Sequence, residues 1–234
     1  MFDTPPELRD KAELHGHQLD YRNVAEFFAG DKSLFDELYR NRKYVPGGNR
    51  IVGVSVDFSG SVNEMDTQVA LTAIARAAQL QGDNFTAAGF TTYAGGPTDS
   101  RTQLITGPTE QFKMEHNSVV SAHGKTPLAN GVDTTHRLLA SNNATEKIMF
   151  VITDGKPNRS MKKSDWPSNS VASAEKAIEI AKTNNIAVIG FGVDDVDEDV
   201  MEKLFGHDGY VMTDSDDLAE ELLKTYNTKC STIR

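Results

Sequence analysis

The sequence predicts an α/β protein: a doubly wound, mostly parallel six-stranded sheet flanked by helices, with a small helical appendage at the N-terminus. Three observations carry that prediction. Short Val/Ile-rich runs alternate with helical patterns along residues 50–226, the order of a parallel sheet wrapped by helices. Several of those runs are continuously apolar, as strands buried on both faces are. The 234 residues are enough for one large domain with a real core and a small appendage.

The elements follow in order. Residues 1–48 are helical in pattern and charged, and they end in VPGGNR, a break that reads as a connector. Between Gln18 and Tyr44, the residues Leu19, Val24, Phe27, Phe28, Leu34, Phe35 and Leu38 recur at spacings near three and four. One face of the appendage is therefore expected to dock on the main domain. That domain is expected over 49–228, followed by a tail at 229–234.

Within the domain, RIVGVSVDF (50–58) reads as the first core strand and VALTAIARAAQL (69–80) as an Ala/Leu-rich helix. NFTAAGFTTYA (84–94) returns to strand, and RTQLITG (101–107) pairs beside it as a short edge. PLANGVDTTHRLLAS (127–141) is helical, with Pro127 in the first turn, where its missing N–H costs nothing. KIMFVITD (147–154) and IAVIGFGV (186–193) are core strands separated by the amphipathic helix VASAEKAIEIAKTNN (171–185). EDVMEKLFG, GYVMTD and DDLAEELLKTY close the chain as helix, strand and helix. The sum is about six strands and about six helices, in the order of an open doubly wound sheet.

A formal net charge of −10 argues against a main role in holding nucleic acid or an anionic membrane surface. Proteins, cations and basic surfaces are the expected partners. The one cysteine, Cys230, has no internal disulfide partner. The start lacks a basic-then-apolar signal pattern, and no apolar run nears the roughly 20 residues that span a bilayer. A cytoplasmic location is expected, and the Asn-x-Ser/Thr triplets at Asn84, Asn143 and Asn158 then read as chance matches.

The chemistry concentrates at strand ends. VSVDFSGSV (54–62) ends an apolar run in Asp57, Ser59 and Ser61, and doubly wound sheets bind ligands beyond the carboxyl ends of their strands. Asp154, in VITDGKP, ends a second core strand at the same edge. Two carboxylates brought together there repel unless something positive lies between them. Hydroxyl and carboxylate oxygens suit Mg²⁺, Mn²⁺ or Ca²⁺, whereas zinc calls for His or Cys. A third loop, HGKTPLANG (123–131), places Thr126 just before a helix start. Its GKT is not a phosphate loop, because position 119, where that motif needs glycine, is Val119.

Plainer readings exist for each residue. Ser59 and Ser61 could merely cap the following helix, and Asp154 could be a turn former. His15 and His17 lack further ligands nearby, while His116, His123, His136 and His207 are scattered and support no triad. The acidic run 194–200 lacks the calcium-loop glycine and terminal Glu, so helix N-terminal charge explains it. Trp166 lies in a polar loop beyond Asp154.

Taken together, DFSGS, Thr126 in GKTP and Asp154 in TDGKP resemble the metal-ion-dependent adhesion site (MIDAS) of von Willebrand factor type A (VWA) domains, intact at every motif position. The resemblance implies a six-stranded doubly wound sheet and bound Mg²⁺ (or Mn²⁺). It implies Ser59 and Ser61 as direct ligands and Thr126 as a ligand of variable engagement. Asp57 and Asp154 would hold the metal's waters and balance its charge. The function implied is protein binding without catalysis, a partner protein supplying an Asp or Glu to the metal.

GHQLDYRNVAEFFAGDKSLFDEL (16–38) resembles the stretch that precedes this domain in relatives of the cobaltochelatase large subunit and the nitric-oxide-reductase activation protein. Those proteins work beside ring-forming AAA+ ATPases, which implies an adaptor role with a MoxR-type AAA+ ATPase. Two rivals remain. One is a phosphohydrolase in which Mg²⁺ activates water and Lys125 or Lys156 anchors phosphate. The other is a structural component that uses the domain only for assembly.

Overall fold

The computed structural model describes residues 49–92, 100–155, 157–158 and 169–232. The expected appendage (1–48) lies outside these residues, as do Lys156 and Trp166. Six strands form one sheet: β1 (Arg50–Asp57), β2 (Asn84–Thr92), β3 (Ser100–Thr106), β4 (Glu146–Thr153), β5 (Ile186–Val193) and β6 (Tyr210–Thr213). Their order is β3-β2-β1-β4-β5-β6. All neighbours are parallel except β3, which runs antiparallel to β2 along the edge.

Five α-helices are present among the described residues, against about six expected. They are α1 (Glu64–Gln81), α2 (Leu128–Ala140), α3 (Ser170–Thr183), α4 (Glu198–Phe205) and α5 (Leu218–Thr232). Two short 3-10 segments, Met114–Val119 and Ser215–Asp217, join them. The fold is the mostly parallel six-stranded α/β sandwich that the strand and helix patterns require.

Period-two alternation decides which helices cover which face. Val52, Val54 and Val56 of β1, with Ile148, Phe150 and Ile152 of β4, pack into one cluster with α1 and α5. Ile51, Met149 and Val151 face the other cluster, built with α2, α3 and α4. Both faces of the central strands are thus buried, which is why their sequences are apolar at nearly every position rather than at alternate ones. At the amino edge, Arg50 bridges Glu146 at 2.8 Å and Asp83 at 3.2 Å. Tyr226 of α5 donates to the same Asp83 at 2.5 Å, tying the strand roots to the last helix.

Two boundaries differ from expectation for local reasons. Helix α1 starts at Glu64, five residues before the apolar pattern does, because the Asn63 side chain caps it by accepting from the N–H groups of Met65 and Asp66. Glu64 and Asp66 in its first turn suit the positive end of the helix dipole. Helix α5 continues to Thr232, past Tyr226, where the helical pattern DDLAEELLKTY ends. Its last turn is polar, so it carries no apolar periodicity to reveal it.

A close approach between β2 and the chain just beyond β1 fixes the start of the carboxyl-edge loop. Phe58, between Asp57 and Ser59, is 1% exposed, and its ring occupies the space where a Gly89 side chain would stand. Gly89→Ala is therefore expected to displace Phe58 and cost ~1–3 kcal/mol as overpacking strain. A urea-denaturation midpoint equal to wild type would show that Phe58 repacks freely.

Candidate metal centre

Strands β1 and β4 are hydrogen-bonded neighbours, with Val56 opposite Ile152, so Asp57 and the Thr153-Asp154 pair emerge side by side at the carboxyl edge. Asp57 is 1% exposed. One of its oxygens accepts the Ser59 N–H at 2.9 Å, and the other accepts the Thr153 hydroxyl at 2.8 Å. The Ser59 hydroxyl donates to Asp154 at 3.1 Å and stands 3.4 Å from the Ser61 hydroxyl. Four of the five residues singled out in the sequence thus form one hydrogen-bonded cluster.

The fifth comes in from the α2 side. Gly124, in the left-handed region at φ 77°, has no room for a side chain, because its Cβ would collide with the Thr92 carbonyl. That close approach brings the following Thr126, itself buried, beside the Asp154 loop. Its Oγ1 lies 3.6 Å from the Cβ position of Gly155.

The electrostatics of the cluster are unfavourable as it stands. Burial first, and the neighbouring Asp154 second, push the Asp57 carboxyl up to about 7, against the pull of the Thr153 and Ser59 hydrogen bonds. A crevice leading from the site is lined in addition by Asp66 and Asp194. Burial and the nearby Asp216 raise the Asp66 carboxyl as well. A cation would relieve this concentration of negative charge.

The donor set fits a hard divalent ion, being two carboxylates and three hydroxyls with no nitrogen or sulfur. Among the described residues, no three His, Cys, Asp or Glu side chains gather as a metal cluster. A site of this kind would have to draw on hydroxyls.

The plainer readings divide. Asn63, not Ser59 or Ser61, caps α1, which leaves both serine hydroxyls turned to the cluster. His116 stacks edge-on against Phe112, His136 meets Asn184 and His207 meets Glu202, so these three do not converge. In the acidic run, Asp197 caps α4, with Glu198 and Asp199 in its first turn, as helix N-terminal charge predicts. Thr153 escaped notice in the sequence, although its place directly before Asp154 at the end of a buried strand was the available signal. His15 and His17 lie outside the described residues.

A family model described as the von Willebrand factor type A domain matches residues 52–225. The chain belongs to the VWA domain family. No curated protein sequence matches it, whereas solved structures do. The pilus adhesin SpaC from Lactobacillus rhamnosus GG, in its open conformation, superposes with a TM-score of 0.59 at 18% identity, over 80% of this chain and 30% of that one. The vWF domain of the type V pili tip protein Mfa5 from Porphyromonas gingivalis gives 0.60 at 10% identity, over 82% and 97%.

Proximal thread matrix protein 1 from the mussel byssus, described with zinc occupying its MIDAS motif, gives 0.57 at 14% identity, over 77% and 46%. At these identities the likeness is one of fold. The VWA chain spans under a third of the SpaC structure and under half of the byssus protein. Among its described residues, no helix is long and apolar enough to cross a membrane.

Proposed function

We propose that Asp57, Ser59, Ser61, Thr126 and Asp154 form a metal-ion-dependent adhesion site for Mg²⁺ or Mn²⁺. On this reading the VWA domain binds a partner protein through that partner's Asp or Glu and performs no catalysis of its own. The observation that carries the reading is that Ser59 joins two carboxylates within one cluster, its N–H donating to Asp57 and its neutral hydroxyl to Asp154. A bound divalent ion supplies a positive centre for an incoming carboxylate.

The protein's own part is to hold that charge in place without cancelling it. Ser59 and Ser61 offer lone pairs but no charge. Asp57 is immobilised through both oxygens and contributes one negative charge, while Asp154 contributes the other. Two charges against a divalent cation spread over neutral donors leave the site receptive to a third carboxylate, whereas aspartates in place of both serines would not.

Zinc in the MIDAS of the byssus protein supports a divalent ion here, and the all-oxygen donor set favours Mg²⁺ or Mn²⁺. Adhesin and matrix roles in the names of similar structures agree with a binding function. The finer proposal, a cytoplasmic adaptor for a MoxR-type AAA+ ATPase, rests on the likeness of residues 16–38.

Calorimetric titration tests the site. Wild type is expected to bind one Mn²⁺, and Ser59→Ala and Thr126→Ala to bind it roughly 10- to 100-fold more weakly. Equal affinity in all three proteins would remove the basis for the site.

A further inference from the structure

We infer that Asn158 is a positioning residue for this centre, setting where Thr126 stands relative to Asp154. The inference rests on the proposed metal site and assigns a residue that no position of the motif covers.

The residues just before Thr126 are tied to the β1 and β2 side of the site. The His123 N–H donates to the Phe58 carbonyl at 2.7 Å, and the Gly60 N–H donates to the Gly124 carbonyl at 3.4 Å. The Lys125 N–H donates to the Thr92 hydroxyl at 2.9 Å, and the Thr91 hydroxyl donates to the His123 carbonyl. Thr126 itself is held from the opposite side. Its N–H donates to the Asn158 side-chain oxygen at 3.1 Å, and the Asn158 N–H donates to the Thr126 carbonyl at 3.2 Å.

One residue therefore occupies both backbone polar groups of Thr126, which is only 3% exposed. Asn158 is rooted in turn. The carbonyl of the preceding Pro157 accepts the hydroxyl of Ser170, the first residue of α3, at 2.6 Å, and Ser170 is 4% exposed.

This arrangement matters because the donors come from three loops. The bond from Ser59 to Asp154 joins the first loop to the third, and the paired hydrogen bonds between Asn158 and Thr126 join the second to the third. Losing the one made by the Asn158 side chain lets the Thr126 hydroxyl drift from the Asp154 loop while the rest of the cluster stays assembled. Mg²⁺ and Mn²⁺, which demand short bonds and a near-octahedral shell, should suffer more than Ca²⁺, whose shell is looser.

The experiment compares wild type, Asn158→Ala, Asn158→Asp, Thr126→Ala and the Asn158→Ala/Thr126→Ala double variant. Each is titrated with Mn²⁺, followed by electron paramagnetic resonance of the free ion, competed with Mg²⁺ and Ca²⁺, and melted in EDTA. Asn158→Ala is expected to weaken Mn²⁺ about tenfold and to narrow the preference for Mg²⁺ over Ca²⁺, while lowering the metal-free melting temperature only by the few degrees that one unpaired buried N–H costs. Asn158→Asp keeps the acceptor oxygen and is expected to restore the affinity. In the Thr126→Ala background, Asn158→Ala should cost nothing further, because its effect passes through the Thr126 hydroxyl.

Wild-type Mn²⁺ affinity in Asn158→Ala would overturn the inference, as would additive losses in the double variant or failure of the aspartate to rescue. A lowered metal-free melting temperature with an unchanged Mg²⁺/Ca²⁺ ratio would make Asn158 an ordinary loop brace. If wild type itself takes up no Mn²⁺, the proposed centre falls and this inference with it. An intact wild-type site indifferent to Asn158→Ala sinks the inference alone.

Discussion

Asp57→Asn is expected to stabilise the metal-free domain at neutral pH and, at the same time, to abolish tight metal binding. In the fold the Asp57 carboxyl titrates at about 7 rather than at its ordinary 3.8, so the native state holds this proton more tightly than the unfolded chain does. The stability that comes from keeping the group neutral is fully present below about pH 4 and is lost as pH rises towards and just beyond 7. A shift of this size corresponds to a few kcal/mol at ~1.4 kcal/mol per unit, taken as an order of magnitude.

Asparagine has nearly the shape of aspartate and no charge to desolvate. Its oxygen can accept the Ser59 N–H, and its amide can donate to the Thr153 hydroxyl. In EDTA, wild type should lose melting temperature between pH 4.5 and 7.5, and Asp57→Asn should lose less, ending about 5–10 °C above wild type at pH 7.5. In Mn²⁺ the order should reverse, since wild type gains stability from the ion and the variant binds it about 10- to 100-fold more weakly or worse.

Wild-type metal affinity should also fall by up to about tenfold per pH unit below 7, because the ion must displace the Asp57 proton. Parallel melting curves for the two proteins across pH in EDTA would refute the strained carboxylate.

Much of this architecture was legible from the chain because burial writes itself into composition. Strands β1, β4 and β5 are covered on both faces, so they appear as short runs rich in Val, Ile, Phe and Gly, and the carboxylate that ends each run marks the sheet edge. Asp57 and Asp154 were visible for that reason, and Ser59 and Ser61 because they follow Asp57 at alternate positions. Thr126 needed the family likeness as well, since a threonine in a loop carries no signal of its own.

What stayed hidden depends on contacts between distant segments. Thr153 donates to a residue 96 positions away, and Asn158 grips one 32 positions away. Neither partner can be read from local pattern. The start of α1 lay outside the apolar periodicity because its first turn faces water, although Asn63 followed by Glu64 and Asp66 is a capping signal that an acid-and-amide reading would have caught.

The larger functional consequence is that partner binding should require the metal. Without a cation, an incoming carboxylate approaches Asp154, with Asp57 buried behind it, and Asp66 and Asp194 along the adjoining crevice, so it is repelled. On the proposed reading, the same carboxylate would meet, with an ion bound, a centre whose charge neutral serine ligands leave incompletely offset. Removing one member of such a desolvated charge pair costs ~2–5 kcal/mol, on the order of a hundredfold in affinity or more. A tagged wild-type chain is therefore expected to retain a partner from native lysate in Mg²⁺ and to release it in EDTA. Ser59→Ala and Thr126→Ala should fail to retain it even in Mg²⁺, and Ca²⁺ should substitute poorly because its longer bonds fit the cluster less well. Once the partner is identified, replacing the contacting Asp or Glu by Asn or Gln should reproduce the EDTA result. A partner held equally in EDTA and by both variants would move the contact to another face of the domain. Retention in Mg²⁺ that survives loss of every acidic residue on the partner's contact surface would leave the metal a structural part and disprove its role as a bridge.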